Sequence, residues 1–129
     1  ARPRGRMEFL PIEWHHLLHV DQPASEQLQA VTLPSIPLLR TFSNHAVADI
    51  LFYTSNRTRI LKGIAEVLNE TVAKFRAHNP SVAAVPISMI GHSLGSVILY
   101  DLLILQTEAD LDPALKLTFA PSALFLPGS

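Results

Sequence analysis

Residues 85–100 read Val-Pro-Ile-Ser-Met-Ile-Gly-His-Ser-Leu-Gly-Ser-Val-Ile-Leu-Tyr. A short apolar run, the pattern Gly-x-Ser-x-Gly at residues 91–95 and a longer apolar segment follow one another. The short run bounded by glycine favours a buried strand, and the longer segment favours a helix that is buried on most sides. The stretch therefore predicts a strand over residues 85–90, a tight turn around Ser93 and a helix over residues 93–106.

The central residue of this turn, Ser93, is a candidate nucleophile. A serine hydroxyl is a weak nucleophile and needs a base within hydrogen-bond reach. Gly91 and Gly95 let the strand and the helix approach each other closely. The Leu94 N–H would lie at a helix N-terminus, where an unpaired donor and the helix dipole favour an oxyanion. The pattern predicts the nucleophile elbow of an α/β-hydrolase, and the alternative is a structural turn with a buried serine.

His92 lies next to the nucleophile, but we do not interpret it as the base. Neighbouring residues on such an elbow point in different directions, and the order of the triad in this fold is Ser, then Asp or Glu, then His. Carboxylates follow Ser93 in the sequence, but no histidine does. The triad therefore does not close within these residues in that order. Asp101, two turns into the helix, is expected to point away from any such role.

The rest of the chain predicts an α/β architecture. The predicted elements are a strand over 7–14, an irregular connection over 20–40, a short helix after Asn44, a long helix over 57–78, a loop over 108–116 and a strand over 123–126. Thr54, Ser55 or Asn56 would be the N-cap of the long helix. Its predicted core stripe is Ile60, Ile64, Val67, Leu68, Val72 and Phe75. This order of elements implies a parallel sheet with helical crossovers.

Composition narrows the class of protein. The chain has 129 residues, of which 48% are hydrophobic, as in globular domains. A net charge of −1 gives no electrostatic argument for nucleic-acid binding. Without cysteine there are no disulfides and no thiolate zinc sites, which fits a reducing compartment. The longest apolar stretch, residues 97–105, contains Asp101 and is far shorter than the ~20 residues of a membrane span. Nothing in the composition indicates an oligomeric state.

A pair of histidines is a second candidate functional feature, as possible metal ligands. His15 and His19 are four residues apart and would share one face of a helix, as metal ligands can. A metal site needs a third ligand, and the sequence indicates none. We therefore favour a histidine cluster in a loop or on the surface, and we predict no metal site in this chain.

Several further segments, in the same order, resemble those of one family. They are residues 8–15 (Glu-Phe-Leu-Pro-Ile-Glu-Trp-His), 32–36 (Thr-Leu-Pro-Ser-Ile) with Arg40, 49–53 (Asp-Ile-Leu-Phe-Tyr), 79–80 (Asn-Pro), 91–96 (Gly-His-Ser-Leu-Gly-Ser) with 101–103 (Asp-Leu-Leu), and 125–126 (Phe-Leu) with 128–129 (Gly-Ser). The chain resembles the intracellular phospholipase A1 family that contains a DDHD domain. The resemblance implies a hydrolase that cleaves acyl esters of phospholipids, phosphatidic acid among them, in the cytosol or at cytoplasmic faces of intracellular membranes.

The resemblance assigns a catalytic role to few residues of this chain. Only Ser93 is carried over as the nucleophile, with the Leu94 N–H as an oxyanion donor. The His-Gly oxyanion strand of the family would precede Ala1, and its acid, base and metal-binding DDHD domain would follow Ser129. Residues 1–129 are thus interpreted as an internal part of one α/β-hydrolase domain, with the family's metal ion outside it.

Two other functions remain open at this point. A relative with the same fold can act as a lipid-binding or membrane-trafficking adaptor in which catalysis is dispensable. The elbow also fits another α/β-hydrolase that acts on a soluble ester.

Overall fold

The computed structural model describes residues 7–18, 37–82 and 84–128. Its helices and strands, in chain order, are α1 (Pro37–His78), β1 (Ser88–Ile90), α2 (Leu94–Leu105) and β2 (Ala123–Phe125). Short 3₁₀ helices cover His15–Leu18, Pro80–Val82 and Pro113–Leu115. The described part of the chain is thus a small α/β unit.

The two strands form a parallel sheet, as the sequence predicts. Met89 lies opposite Leu124 in the register, and the Gly91 N–H donates to the Phe125 carbonyl at 2.9 Å just beyond the strand ends. Helix α2 connects the strands, which is the connection that a parallel pair needs. Both strands are shorter than predicted: residues 85–87 and residue 126 lie outside the regular ladder of hydrogen bonds.

The predicted strand over residues 7–14 is not observed. These residues have no regular structure and lead into the 3₁₀ helix at His15–Leu18. Pro11 cannot donate to a sheet ladder, and Met7 and Phe9 are 77% and 71% exposed. The irregular connection predicted over residues 20–40 is wrong at its end, because α1 already begins at Pro37. Residues 19–36 lie outside the described residues.

Helix α1 consists of two helical halves that meet at a kink, in agreement with the two helices that the sequence predicts. Asn56 has φ −123° and ψ 20°, which is not helical. The Thr54 and Ser55 hydroxyls donate to the Leu51 carbonyl at 2.8 and 3.0 Å, and Asn56 Nδ2 donates to the Phe52 carbonyl at 3.0 Å. Asn56 thus lies at the start of the second half of α1, where an N-cap was predicted, but all three side chains bond to the turn before the kink instead of capping the second half.

The core lies between the second half of α1, α2 and the segment before β2. Its buried apolar residues are Tyr53, Ile60, Leu61, Ile64, Ala65, Leu68, Val72, Met89, Ile98, Leu102, Leu115, Leu117 and Phe119. Four members of the predicted stripe are among them, whereas Val67 and Phe75 are half-buried. The i,i+4 pair of Glu70 and Lys74 on the outer face is present at 2.6 Å.

Two amide side chains hold the segment that leads from α2 to β2. Asn69 Nδ2 donates to the Lys116 carbonyl at 2.9 Å, and the Thr118 N–H donates to Asn69 Oδ1 at 2.8 Å. Gln106 likewise donates to the Leu115 carbonyl at 3.0 Å and accepts from the Leu117 N–H at 2.9 Å. These amides satisfy backbone groups that no strand pairs, and they fix buried side chains of this segment in the core.

Helix α2 is buried on one side only, against the prediction from its composition. Ile98 and Leu102 are 1% and 0% exposed, but Val97, Tyr100 and Ile104 are 46%, 53% and 47% exposed. In the described ranges, α1 packs against one face of α2 and leaves the opposite face open. No helix in these ranges is both long and apolar enough to cross a membrane.

Candidate active site

The turn between β1 and α2 holds Ser93 in an unusual backbone conformation. Its φ is 52° and its ψ is −124°, and it is the one non-glycine residue with positive φ in the described ranges. Such a conformation costs on the order of 1–3 kcal/mol and persists where the surroundings enforce it. The Gly95 N–H bonds the His92 carbonyl, and the Ser96 N–H bonds the Ser93 carbonyl, both at 2.9 Å. This is the strand–turn–helix geometry that a Gly-x-Ser-x-Gly elbow requires.

The two glycines of the motif have different surroundings. A Cβ at Gly91 would lie 2.5 Å from the Gly95 carbonyl oxygen and 2.9 Å from the Ser96 nitrogen. The end of β1 and the start of α2 therefore approach too closely for a side chain there, as the sequence predicts. A Cβ at Gly95 would meet nothing within 4 Å among the described residues, so the close-approach explanation is wrong for Gly95.

The buried side chain of Ser96 stabilises the turn through a hydrogen bond. It is 1% exposed, and its Oγ donates to the Gly91 carbonyl at 2.7 Å. This bond satisfies a buried carbonyl where the ladder ends and holds the first turn of α2 against β1. This role of Ser96 is not predicted from the sequence. A small polar residue directly after the motif was the only signal.

The Ser93 hydroxyl is exposed and does not cap α2. The Leu94 N–H at the start of α2 has no acceptor in the described part of the chain. An open hydroxyl therefore stands beside an unpaired donor at the positive end of a 12-residue helix. Chemically, this pair can present a nucleophile and stabilise negative charge on an adjacent oxygen.

The side chain of His92 lies against the turn that follows β2. A Cβ at Gly128, whose φ is +71°, would lie 3.0 Å from His92 Nε2. His92 is exposed and does not line the cavity that contains Ser93.

An open cavity of about 540 Å³ lies between the first half of α1 and α2. It is lined by Ile50, Tyr53, Thr54, Arg57, Ser93, Leu94, Val97, Asp101 and Gly128. Ile50 and Val97 are 48% and 46% exposed, so they contribute an accessible aliphatic surface beside Ser93. A mostly apolar concave surface with a few polar groups is typical of small-molecule sites.

Three residues form a polar cluster on the wall of this cavity. The Tyr53 hydroxyl donates to Asp101 Oδ2 at 2.6 Å, and Arg57 Nε donates to the same oxygen at 2.7 Å. The hydrogen bond from Arg57 is the main cause that holds the pKa of Asp101 below its usual value. Burial, and then the bond to Asp101, raise the pKa of Tyr53 well above its usual value.

The prediction that Asp101 points away from the site is wrong in its direction. Asp101 lines the same cavity as Ser93, because residues 93, 97 and 101 follow one another along one face of a helix. Its carboxylate is engaged by Tyr53 and Arg57. Neither residue is predicted as a site residue from the sequence, although their spacing of four on a helix places them on one face.

The described residues contain no group of three or more His, Cys, Asp or Glu side chains arranged to hold a metal ion. His19 of the candidate histidine pair lies outside the described residues. The metal ion that the resemblance implies is expected outside residues 1–129.

Comparisons with known proteins find lipid hydrolases among the relatives of this chain. Human triacylglycerol hydrolase DDHD2 is 40% identical over 107 residues, which are 81% of this chain and 15% of that protein. The intracellular phospholipase A1 of Caenorhabditis elegans is 37% identical over 102 residues, which are 78% and 12% of the two chains. The chain is homologous to the DDHD-family intracellular phospholipases A1. The resemblance seen in the motifs is thereby confirmed.

The DDHD family also includes relatives with other names. Human SEC23-interacting protein is 38% identical over 110 residues, which are 83% of this chain and 11% of that protein. The chain thus spans about 15% or less of the length of these relatives. No family model matches the chain. No solved structure matches it either.

Proposed function

We propose that this chain supplies the nucleophilic serine of a phospholipase A1-type hydrolase, and that Ser93 attacks the acyl ester of a phospholipid such as phosphatidic acid. The observation that supports this most is the positive φ of Ser93, which places an exposed hydroxyl at the start of α2 beside the cavity. The names of two relatives, a phospholipase A1 and a triacylglycerol hydrolase, support a lipid ester as the substrate.

The proposed reaction proceeds through an acyl-enzyme. Ser93 Oγ attacks the ester carbonyl carbon and gives its proton to a general base, and the carbonyl electrons move onto oxygen. The Leu94 N–H donates to this oxyanion at the start of α2. The oxyanion then collapses, and the lysolipid alcohol leaves with a proton. Water adds to the acyl-serine in the same manner, which releases a fatty acid and restores Ser93.

The proposal assigns only part of the machinery to this chain. No histidine follows Ser93, so the base, the acid and the second oxyanion donor are assigned to none of its residues. We also propose that residues 1–129 belong to one α/β-hydrolase domain and that the DDHD domain lies outside them. The substrate would be met at cytoplasmic faces of intracellular membranes.

The cavity supports a substrate with a long apolar part. Ile50, Leu94 and Val97 line it close to Ser93, and burying an acyl chain against such side chains contributes about 25 cal/mol per Å² of apolar area. A short soluble ester gains little from this surface. Competition between phospholipid vesicles and short soluble esters therefore distinguishes a lipase from a general esterase, and we expect vesicles to inhibit the turnover of the short ester.

The decisive test is covalent labelling of the full-length protein with a fluorophosphonate probe. We expect labelling and lipid hydrolysis in the wild type and in Ser81→Ala, a matched change of an exposed serine in the 3₁₀ helix after α1. We expect both to be lost in Ser93→Ala. Hydrolysis by Ser93→Ala at the wild-type rate would show that another residue is the nucleophile.

The similarity to SEC23-interacting protein supports a second candidate function, an adaptor that uses the same fold to bind a protein or a lipid. An adaptor retains its cellular function when Ser93 is replaced by alanine, whereas a hydrolase does not. Complementation of a deletion strain or cell line with Ser93→Ala therefore separates the two.

A further inference from the structure

One cation lies on the wall of the cavity that contains Ser93. Arg57 and Asp101 are the charged residues among those that line this cavity, and the remaining lining is mostly aliphatic or small. The Arg57 side chain is 46% exposed, and that of Asp101 is 22% exposed. Arg57 therefore remains open to solvent while its partner is largely covered.

The pair with Asp101 uses only part of the hydrogen-bonding capacity of Arg57. Nε donates to Asp101 Oδ2 at 2.7 Å. A guanidinium has five N–H donors, and the pair with Asp101 uses only Nε, with the Tyr53 hydroxyl close by. Tyr53 is 3% exposed and donates to the same carboxylate oxygen. The cluster thus fixes one edge of the guanidinium and leaves its terminal fork available.

The distance between this fork and Ser93 suits a lipid headgroup. Asp101 is eight residues after Ser93, so the rise of α2 separates their Cα atoms by about 12 Å. Helical side chains lean toward the N-terminus, which moves the carboxylate, and Arg57 with it, back toward Ser93. A phosphate joined through glycerol to the attacked ester spans a gap of this kind.

We infer that Arg57 binds the phosphate of the substrate while the ester carbonyl lies at Ser93. A planar guanidinium with a free fork matches phosphate oxygens in a bidentate manner. Asp101 and Tyr53 are then positioning residues, which hold Arg57 through Nε. The inference rests on the proposed function and adds a determinant of substrate choice: the cavity favours anionic phospholipids over neutral glycerolipids with the same acyl chains.

The test compares phosphatidic acid with diacylglycerol of identical acyl chains, each in mixed micelles, using the full-length protein. We expect Arg57→Gln to raise KM for phosphatidic acid about tenfold to hundredfold, the effect of losing charge-assisted hydrogen bonds. Its kcat, and both constants for diacylglycerol, should stay near their wild-type values. Arg76→Gln is the matched control, because Arg76 does not line the cavity.

The change at Arg57 also leaves Asp101 unpaired, and an unpaired carboxylate would repel a phosphate by itself. The double variant Arg57→Gln/Asp101→Asn removes both charges and separates these causes. We expect it to remain defective toward phosphatidic acid. Recovery of the wild-type KM would overturn the inference. An equal loss of activity on both lipids would also overturn it, because the cluster would then only stabilise the packing of α1 on α2.

A second measurement does not depend on any variant. The wild type should show a KM for the dimethyl phosphotriester of phosphatidic acid that is at least about tenfold higher than for phosphatidic acid itself, since the triester carries no charge. Equal KM values would contradict a role for Arg57. Failure of Ser93 to react with the fluorophosphonate probe would instead refute the proposed function. A Ser93-dependent hydrolase without headgroup preference would refute this inference alone.

Discussion

At the residue scale, replacement by alanine is expected to have opposite effects on stability at Gly91 and at Gly95. The Cβ of an alanine at position 91 would meet backbone atoms of the next turn at 2.5 Å, and these atoms cannot move without shifting α2. Alanine at position 95 would enter open space within the first turn of a helix, where alanine is preferred over glycine by up to about 1 kcal/mol.

We therefore expect Gly91→Ala to lower the free energy of unfolding by about 1–3 kcal/mol or more, and Gly95→Ala to leave it unchanged or slightly raised. Equilibrium urea denaturation of both variants beside the wild type measures the difference. Equal losses in the two variants would show that position 95 also lies against a neighbour.

How much the sequence predicts at this scale depends on whether the cause is local. The turn at Ser93 follows from Gly-x-Ser-x-Gly between two apolar segments, because the short chain there has few ways to join a strand to a helix. The pairing of Arg57 with Asp101 is not local. The two residues are 44 positions apart, and only the packing of α1 on α2 brings them together.

At the scale of elements, the Tyr53–Asp101–Arg57 cluster joins α1 to α2 beside the cavity. Asp101 has a pKa that is lowered in the folded state, chiefly by its hydrogen bond from Arg57. Such a group contributes stability that is fully present above the pKa of the unfolded chain, near 3.8, and that is lost as the pH falls through the lower pKa of the folded state.

Asp101→Asn should consequently lower the free energy of unfolding at pH 7 by about 1–3 kcal/mol, the usual loss for hydrogen bonds to a charged group. The gap between the variant and the wild type should shrink below pH 4, as the wild-type carboxylate is protonated. Urea denaturation at pH 7, 5 and 3 measures this gap. A gap that does not change with pH would mean that the charge of Asp101 contributes nothing.

The same scale shows where helix prediction succeeds and where it fails. The second half of α1 and α2 follow from their apolar periodicity, and Asn79-Pro80 ends α1 as expected. The break at Asn56 was predicted in the correct place, as the boundary between two helices. Thr54, Ser55 and Asn56 bond to carbonyls of the preceding turn, and a list of polar residues does not reveal which neighbouring turn they will bond.

At the scale of the whole molecule, the described unit has apolar surface on both of its layers. Val97, Tyr100 and Ile104 are about half exposed on α2, and Ile90 and Phe125 are 58% and 55% exposed on the paired strands. Exposed apolar surface of this kind, next to strands with unpaired edges, promotes association between chains. The small net charge of −1 adds little electrostatic repulsion between copies.

We expect these 129 residues, expressed by themselves, to self-associate as their concentration rises, and the triple variant Val97→Ser/Tyr100→Ser/Ile104→Ser to do so less. Sedimentation velocity over a range of concentrations measures this. Serine at Glu66, Glu70 and Lys74, on the exposed outer face of α1, is the matched control and should not reduce association. If the wild type remains monomeric at high concentration, the open face of α2 does not mediate self-association. If the triple variant and the control associate equally, the contact instead involves the strands, because Ile90 and Phe125 are unchanged in both.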